Sequence, residues 1–252
     1  MEYGGYTELK ISVVIPSYNG WDRLEKLCKK IKKHLIVNYN LEDFEIIIVD
    51  DGSYHRPDDI ILNLRSMGID VKGVFLKKNY GQQLATLAGL QVSKGDYILT
   101  LDDDLSHNPE DLIKLLTLIE REKLDVVFGV AKNGRKGMLR SGGSALRDFI
   151  FKIFFSMPKK LTVSSFRILS RSLVNTLIGD ISEYRYLSVE ILKYTKAIGN
   201  IKVTYKRESV NTSRYGFIKL ASLAFSLIKC SNIFPVIIRR SKTASEMEWD
   251  II

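Results

Sequence analysis

The chain has 252 residues, 45 % of them apolar and 27 % charged. That balance excludes a disordered or low-complexity protein and suits one large α/β domain or two small ones. Two cysteines, Cys28 and Cys230, exclude a disulfide framework, and the polar first ten residues show no secretory leader, so a cytoplasmic chain with reduced thiols is expected.

The net charge is +9, and its placement is uneven. Residues 201–242 hold nine basic side chains and one acidic one, Glu208, for a net +8; the remainder holds 29 basic and 28 acidic residues. Such a segment either faces an anionic partner (phosphates, nucleic acid, an acidic membrane) or is a solvated basic face.

In chain order, residues 11–15 form a short apolar, β-branched run before Pro16 and read as a buried strand. Residues 22–36 place Leu24, Leu27, Ile31 and Leu35 at helical spacing, with lysines on the other face. Strand patterns follow at 44–49, 71–76, 97–101 and 125–130, and helical ones at 57–66, 81–92 and 109–123. Asn108 is expected to cap the last of these, with Pro109 in its first turn. This alternation predicts βαβ units and a mostly parallel sheet covered on both faces.

After Val130 the pattern changes. Residues 132–141 are glycine-rich and basic, 143–155 apolar and helical, and 198–205 strand-like. Residues 215–238 are long and largely apolar, but Lys219, Lys229 and Pro235 interrupt them before a run of about 18 apolar residues is reached. Two readings stand: an amphipathic helix on a bilayer, flanked by Arg239, Arg240 and Lys242, or an ordinary core helix.

Ligands of open parallel sheets bind at the carboxyl ends of the strands. Four such ends carry polar clusters: Pro16-Ser17-Tyr18-Asn19, Asp50-Asp51-Gly52-Ser53, Lys78-Asn79-Tyr80-Gly81-Gln82 and Asp102-Asp103-Asp104. Three adjacent carboxylates repel one another unless relieved. At alternate positions of an extended turn, Asp102 and Asp104 project to one side and Asp103 away. Two carboxylates on one side suit Mg²⁺ or Mn²⁺ and a diphosphate; the same residues also suit an acidic loop that caps the next helix. His107 is expected at a loop surface, His34 on a polar helix face and His55 in a loop, and no Cys/His spacing suits zinc.

Taken together, Val13-Val14-Ile15-Pro16-Ser17-Tyr18-Asn19, Ile48-Val49-Asp50-Asp51-Gly52-Ser53, Asn79-Tyr80-Gly81 and the run from Gly95 to Asp104 resemble the family 2 glycosyltransferases. Within them the chain looks most like the polyprenyl-phosphate sugar transferases, the group of dolichyl-phosphate mannose synthase and the bacterial undecaprenyl-phosphate enzymes. Leu101-Asp102-Asp103-Asp104-Leu105 is similar to their L-D-A-D-L, Ser165-Phe166-Arg167 to their G-F-R, and Ser213-Arg214-Tyr215 to their S-K-Y. The likeness covers about residues 10–235. It departs where Ser106 replaces a Gln, where Asn211 replaces a Gly, and in the spacing of Arg207 to Ser213.

The resemblance implies a GT-A fold, with residues 1–212 as the catalytic domain and 213–252 as an amphipathic, basic, membrane-associating segment. It implies that Pro16, Tyr18, Asn19, Asp51, Gly81, Gln82, Asp102 and Asp103 bind a nucleotide-sugar. Asp102 and Asp104 would hold Mg²⁺ or Mn²⁺ and, with Arg140, carry catalysis; Arg140, Arg167 and Arg214 would bind phosphate. Arg135, Arg147 and Arg207 are further cations of the same segments.

The implied reaction is inverting, metal-dependent transfer of the sugar to a polyprenyl phosphate at the inner membrane face, by a peripheral cytoplasmic enzyme. Many members of that group continue into transmembrane helices, so a separate membrane partner protein is also envisaged. A phosphate acceptor is already largely a dianion and needs no general base; with a glycan hydroxyl as acceptor, the first rival reading, Asp103 or Glu183 would serve. A nucleotidyltransferase would carry a glycine- and lysine-rich loop after the first strand, which Ser17-Tyr18-Asn19-Gly20 is not. A non-enzymatic basic nucleic-acid-binding protein leaves the Asp triplet unexplained and shows no RNA-binding motif; nucleic acid is not an expected partner.

Overall fold

The computed structural model describes residues 9–39, 41, 43–56, 58–132, 161–179, 187–205 and 247–252. The described strands are β1 (Ile11–Ser17), β2 (Phe44–Asp50), β3 (Val71–Leu76), β4 (Tyr97–Thr100), β5 (Val126–Ala131), β6 (Arg167–Ser170), β7 (Ile198–Val203) and β8 (Trp249–Ile251). The described helices are α1 (Trp21–Tyr39), α2 (Asp58–Ser66), α3 (Gln82–Val92), α4 (Asp111–Arg121), α5 (Arg171–Gly179) and α6 (Leu187–Tyr194).

All eight strands join one sheet in the order β7-β5-β6-β4-β1-β2-β3-β8. The pairs β3–β2, β2–β1, β1–β4 and β5–β7 are parallel, and β6 and β8 run against their neighbours. The sheet is therefore mostly parallel, as the alternation predicts. Both antiparallel strands lie outside the elements read from sequence. Each is only three or four residues long and sits beyond the regular βαβ alternation.

Every residue of β1 and β2 is buried, because helices cover both faces and leave no solvent side for alternation. On one face α1, α2 and α4 pack Leu24, Leu27, Ile31, Ile61, Leu64 and Leu116 against the sheet. On the other, α3, α5 and α6 contribute Leu84, Ala88, Leu173 and Ile191. The stripe read in α1 is the buried one: Leu24, Leu27, Ile31 and Leu35 are at most 1 % exposed.

Pro16 belongs to β1 rather than to the turn after it. Its missing N–H is tolerated because β4 pairs β1 only as far as Val14, leaving β2 as the one neighbour at Pro16. α4 opens at Asp111, later than the cap at Asn108 implies: Asn108 and Pro109 accept the N–H groups of Asp111 and Leu112 in a preceding turn, and Asn108 makes no helix cap.

β8 brings the last described residues, 247–252, onto the outer edge of β3, with Met247 buried beneath them. Glu248 pairs with Lys77 at 2.7 Å and Asp250 with Arg56 at 3.4 Å. Residues 247–252, assigned from sequence to a membrane-associating tail, are thus part of the sheet. The rest of that segment, with Cys230 and the apolar stretch 215–238, lies outside the described residues, as does the helix expected at 143–155. Among the described residues no helix is long and apolar enough to cross a membrane.

Candidate active site

The parallel arrangement sends the exits of β1, β2, β3 and β4 to one edge of the sheet. The reversed strand β6 enters from that same edge. The four polar clusters of the sequence therefore meet there.

After β1, Asn19 adopts a left-handed conformation (φ 53°), which Asn tolerates better than most residues. Its N–H donates to Ser53 Oγ at 2.8 Å, and its Oδ1 accepts the Tyr54 N–H at 3.2 Å. This ties the β1 turn to the β2 turn. It also leaves Tyr18, 45 % exposed, with its ring centre 6.4 Å from that of Tyr54, which is 83 % exposed. Two exposed aromatic rings beside these polar turns suit stacking on a planar ligand.

After β2, Asp50 accepts the Ser53 N–H at 3.0 Å. Burial raises the Asp50 carboxyl, against the pull of Ser53 and Arg56. Asp51 faces the β3 turn: Oδ1 accepts the Tyr80 N–H at 2.7 Å and Oδ2 the Gly81 N–H at 2.8 Å. Gly52 has φ 72°, and a Cβ on it would strike the Lys78 carbonyl carbon, so only glycine fits between the two turns. Asp51 is 3 % exposed and acts first as the clasp between β2 and the loop that opens α3.

After β4 the three carboxylates diverge. Asp102 accepts hydrogen bonds from the Gln82 amide through Oδ1 and from Ser165 Oγ through Oδ2, the latter at 2.7 Å. Asp103 turns back towards β1, where Oδ2 accepts the Ser17 hydroxyl at 2.5 Å and Oδ1 lies 3.9 Å from Arg23. Burial raises the Asp103 carboxyl, with Ser17 and Arg23 opposing. Asp104 accepts the Ser106 N–H at 2.9 Å, closing a tight turn in which Leu105 takes φ 57°.

His107 is 7 % exposed, not at a loop surface. Its ring stacks on Phe166 (centres 4.5 Å apart) and meets the edge of Tyr205 at 5.5 Å. Burial lowers its basicity, against the nearby Asp102, Asp104 and Asp111. Two buried polar atoms next to the acidic turn, Ser106 Oγ and His107 Nδ1, have no hydrogen-bond partner among the described residues.

Tyr18, Asn19, Asp51, Gly81, Gln82, Asp102, Asp103 and Asp104 are therefore brought together at one edge. Pro16 stands behind them inside β1. Arg167 lies within β6 at 2 % exposure, donating to Ser188 Oγ at 2.9 Å. Arg135, Arg140, Arg147, Glu183, Arg207 and Arg214 lie outside the described residues. Sequence reading missed Ser17 and Ser165 as partners of the acidic turn. Serine is common at such positions, and only chain crossing brings these two to the carboxylates.

Among the described residues no three His, Cys, Asp or Glu side chains converge as a closed metal cage. Asp102 and Asp104 instead supply hard oxygen donors on an open turn, with an unpartnered hydroxyl on Ser106 nearby. Such a donor set fits Mg²⁺ or Mn²⁺, which bind through one or two carboxylates and complete their shell with phosphate oxygens and water.

The family model described as "Glycosyl transferase family 2" matches residues 12–177. The undecaprenyl-phosphate 4-deoxy-4-formamido-L-arabinose transferase of Serratia proteamaculans is 27 % identical over 228 residues, 90 % of this chain and 69 % of that protein. The protein of the same name from Pseudomonas paraeruginosa is 28 % identical over 229 residues, 90 % of this chain and 66 % of its own length. The chain thus spans about two thirds of these relatives.

Among solved structures, mannosyl-3-phosphoglycerate synthase from Rubrobacter xylanophilus superposes with a TM-score of 0.63 at 15 % identity, covering 95 % of this chain and 80 % of that one. S. aureus TarS 1-349 in complex with UDP-GlcNAc gives 0.59 at 22 % identity, covering 90 % and 68 %. Mycobacterium tuberculosis glucosyl-3-phosphoglycerate synthase, with Mn²⁺, UDP and glucosyl-3-phosphoglycerate, gives 0.56 at 20 % identity, covering 88 % and 78 %. At these identities the likeness establishes the fold, which is GT-A.

Proposed function

The chain belongs to glycosyl transferase family 2, and from that premise we propose that it transfers a sugar from a nucleotide-sugar to a polyprenyl phosphate at a membrane surface. The names of its relatives support this acceptor, and their undecaprenyl-phosphate chemistry is carried over here as a proposal.

One structural observation carries the reading. Residues 133–160 leave from the exit of β5 and return at the entry of β6. Residues 206–246 leave after β7 and return at the start of β8. All four junctions lie at the edge that holds the acidic turn. Each of the two intervals has a net charge of +6, whereas the rest of the chain sums to −3. Both basic intervals therefore begin and end at the edge of the acidic turn, which supports a role for them in meeting anionic phosphates and an anionic bilayer.

The roles follow from chemistry. The turns after β1 and β2, with Tyr18, Asn19 and Asp51, take the base and ribose of the donor. Gly81 and Gln82 line the same pocket. Asp102 and Asp104 hold the divalent ion, Mg²⁺ or Mn²⁺; when bound, the ion neutralises charge on the departing diphosphate. Arg140 and Arg214 are assigned to phosphates, a task for which the planar guanidinium is suited; Arg167, expected in the same role, is instead buried within β6 against Ser188.

An oxygen of the acceptor phosphate, already largely a dianion at neutral pH, forms the new bond to the anomeric carbon. The bond to the diphosphate breaks with its electron pair leaving on the nucleotide, and the configuration inverts. No general base is required. The enzyme works as a peripheral protein on the inner membrane face, alone or with a membrane partner.

The test is a transfer assay with radiolabelled nucleotide-sugars and Mn²⁺ or Mg²⁺, with and without undecaprenyl phosphate in detergent. Metal-dependent label in the organic phase is expected. Label in a soluble oligosaccharide without lipid would overturn the acceptor. Unchanged turnover in Asp104→Ala would overturn the metal assignment.

A further inference from the structure

We propose that Asp103 is a positioning residue: through Ser17 it ties the acidic turn after β4 to the turn after β1, and so sets the directions in which Asp102 and Asp104 point. The inference rests on the reading of those two carboxylates as the donor-site pair. It replaces direct donor contact as the role of Asp103.

Both oxygens of Asp103 are turned into the protein. Oδ2 accepts the Ser17 hydroxyl at 2.5 Å, Oδ1 faces Arg23 at 3.9 Å, and the side chain is 17 % exposed. The β1 turn is shaped to receive this carboxylate, since a Cβ on Gly20 would fall on Asp103 Oδ2 and also lie 2.7 Å from Ser17 Oγ. Ser17 in turn joins a third loop, because its carbonyl accepts the Asp51 N–H at 2.9 Å. One serine thus links the exits of β1, β2 and β4.

The arrangement also eases repulsion within the triplet. Three consecutive carboxylates cannot share one side without a large cost. Drawing the middle one towards Arg23 lets Asp102 turn to Gln82 and Ser165 and Asp104 to its own turn.

The test compares wild type, Ser17→Ala, Asp103→Ala and the double variant in two measurements that need no turnover. Amide hydrogen exchange is followed across residues 97–106, and Mn²⁺ affinity is titrated by electron paramagnetic resonance with Mn²⁺ alone. Loss of one hydrogen bond to a charged group predicts exchange about ten-fold faster at residues 102–106 in each single variant. Exchange at 97–100 is expected to stay unchanged, and the double variant to be no faster than either single one. Mn²⁺ affinity is expected to fall by a similar factor in all three.

Loss of all Mn²⁺ binding in Asp103→Ala with no loss in Ser17→Ala would make Asp103 a ligand and overturn the proposal. Unchanged exchange in Ser17→Ala would overturn it as well. A wild-type protein that binds no Mn²⁺ would refute the metal reading of the site, and the exchange data would still decide Asp103.

Discussion

Ser165 donates to Asp102 Oδ2 at 2.7 Å across 63 positions of sequence. The serine is itself anchored, because its carbonyl accepts the Thr100 hydroxyl at 2.6 Å where β4 and β6 pair. The antiparallel strand β6 thus presents a donor to the first carboxylate of the acidic turn, opposite the Gln82 amide arriving from α3. Asp102 is held from both sides of the sheet edge.

Ser165→Ala removes one of these donors without adding bulk. A hydrogen bond to a charged group contributes about 1.5 kcal/mol or more, so kcat for sugar transfer is expected to fall about ten-fold or more with unchanged circular dichroism. Gln82→Ala is expected to do the same from the other side. Wild-type kcat in both variants would show that Asp102 needs neither partner.

Asp51 binds two backbone N–H groups, one on each oxygen. Asn at this position offers one oxygen, and its amide opposes the second N–H. Asp51→Asn is expected to lower stability by about 2–3 kcal/mol in urea denaturation and to raise the KM for the nucleotide-sugar, since the turn of Tyr80 and Gly81 loosens. A urea midpoint equal to wild type would remove the clasp role.

Cys28 faces the core from α1 at 0 % exposure, and burial pushes its thiol up to about 12. With its folded value raised, the neutral thiol is favoured in the native state. That contribution is complete below the unfolded value near 9 and is lost as pH rises towards 12. In a Cys230→Ser background, iodoacetamide at pH 8 is expected to label Cys28 only after unfolding. Rapid native labelling would contradict the packing of α1.

Deleting residues 247–252 removes β8, the buried Met247 and the Glu248–Lys77 ion pair from the edge of β3. Met247→Ala alone is expected to cost about 2–4 kcal/mol. The deletion is expected to lower the melting temperature further. It is also expected to weaken donor binding, because Lys77 leads directly into the loop held by Asp51. A melting curve matching wild type would show the strand to be ornamental.

Much of this fold is legible in the amino-acid sequence. The apolar runs at 11–15, 44–49, 71–76, 97–101 and 125–130 are strands within a residue or two, and the helices between them follow. Strands buried on both faces are written as continuous β-branched runs, and helices as a 3.6-residue stripe. The four polar clusters were legible for the same reason: in a parallel sheet, sequence alone tells which strand ends share an edge.

The local sequence contained no sign of β6 and β8, whose short runs are strands only because a neighbouring edge was free to pair. His107 looked like a surface residue because the aromatic rings that bury it, Phe166 and Tyr205, come from β6's approach and from beyond β7. By itself the sequence determined the βαβ order, the family and which polar clusters reach the shared edge of the sheet, since each is encoded by periodicity or by motif within a few positions. Only the tertiary structure decided which way each carboxylate of Asp102-Asp103-Asp104 points. Those directions depend on hydrogen bonds from Gln82, Ser165 and Ser17, which are 20, 63 and 86 positions away and meet the triplet only when the sheet has formed.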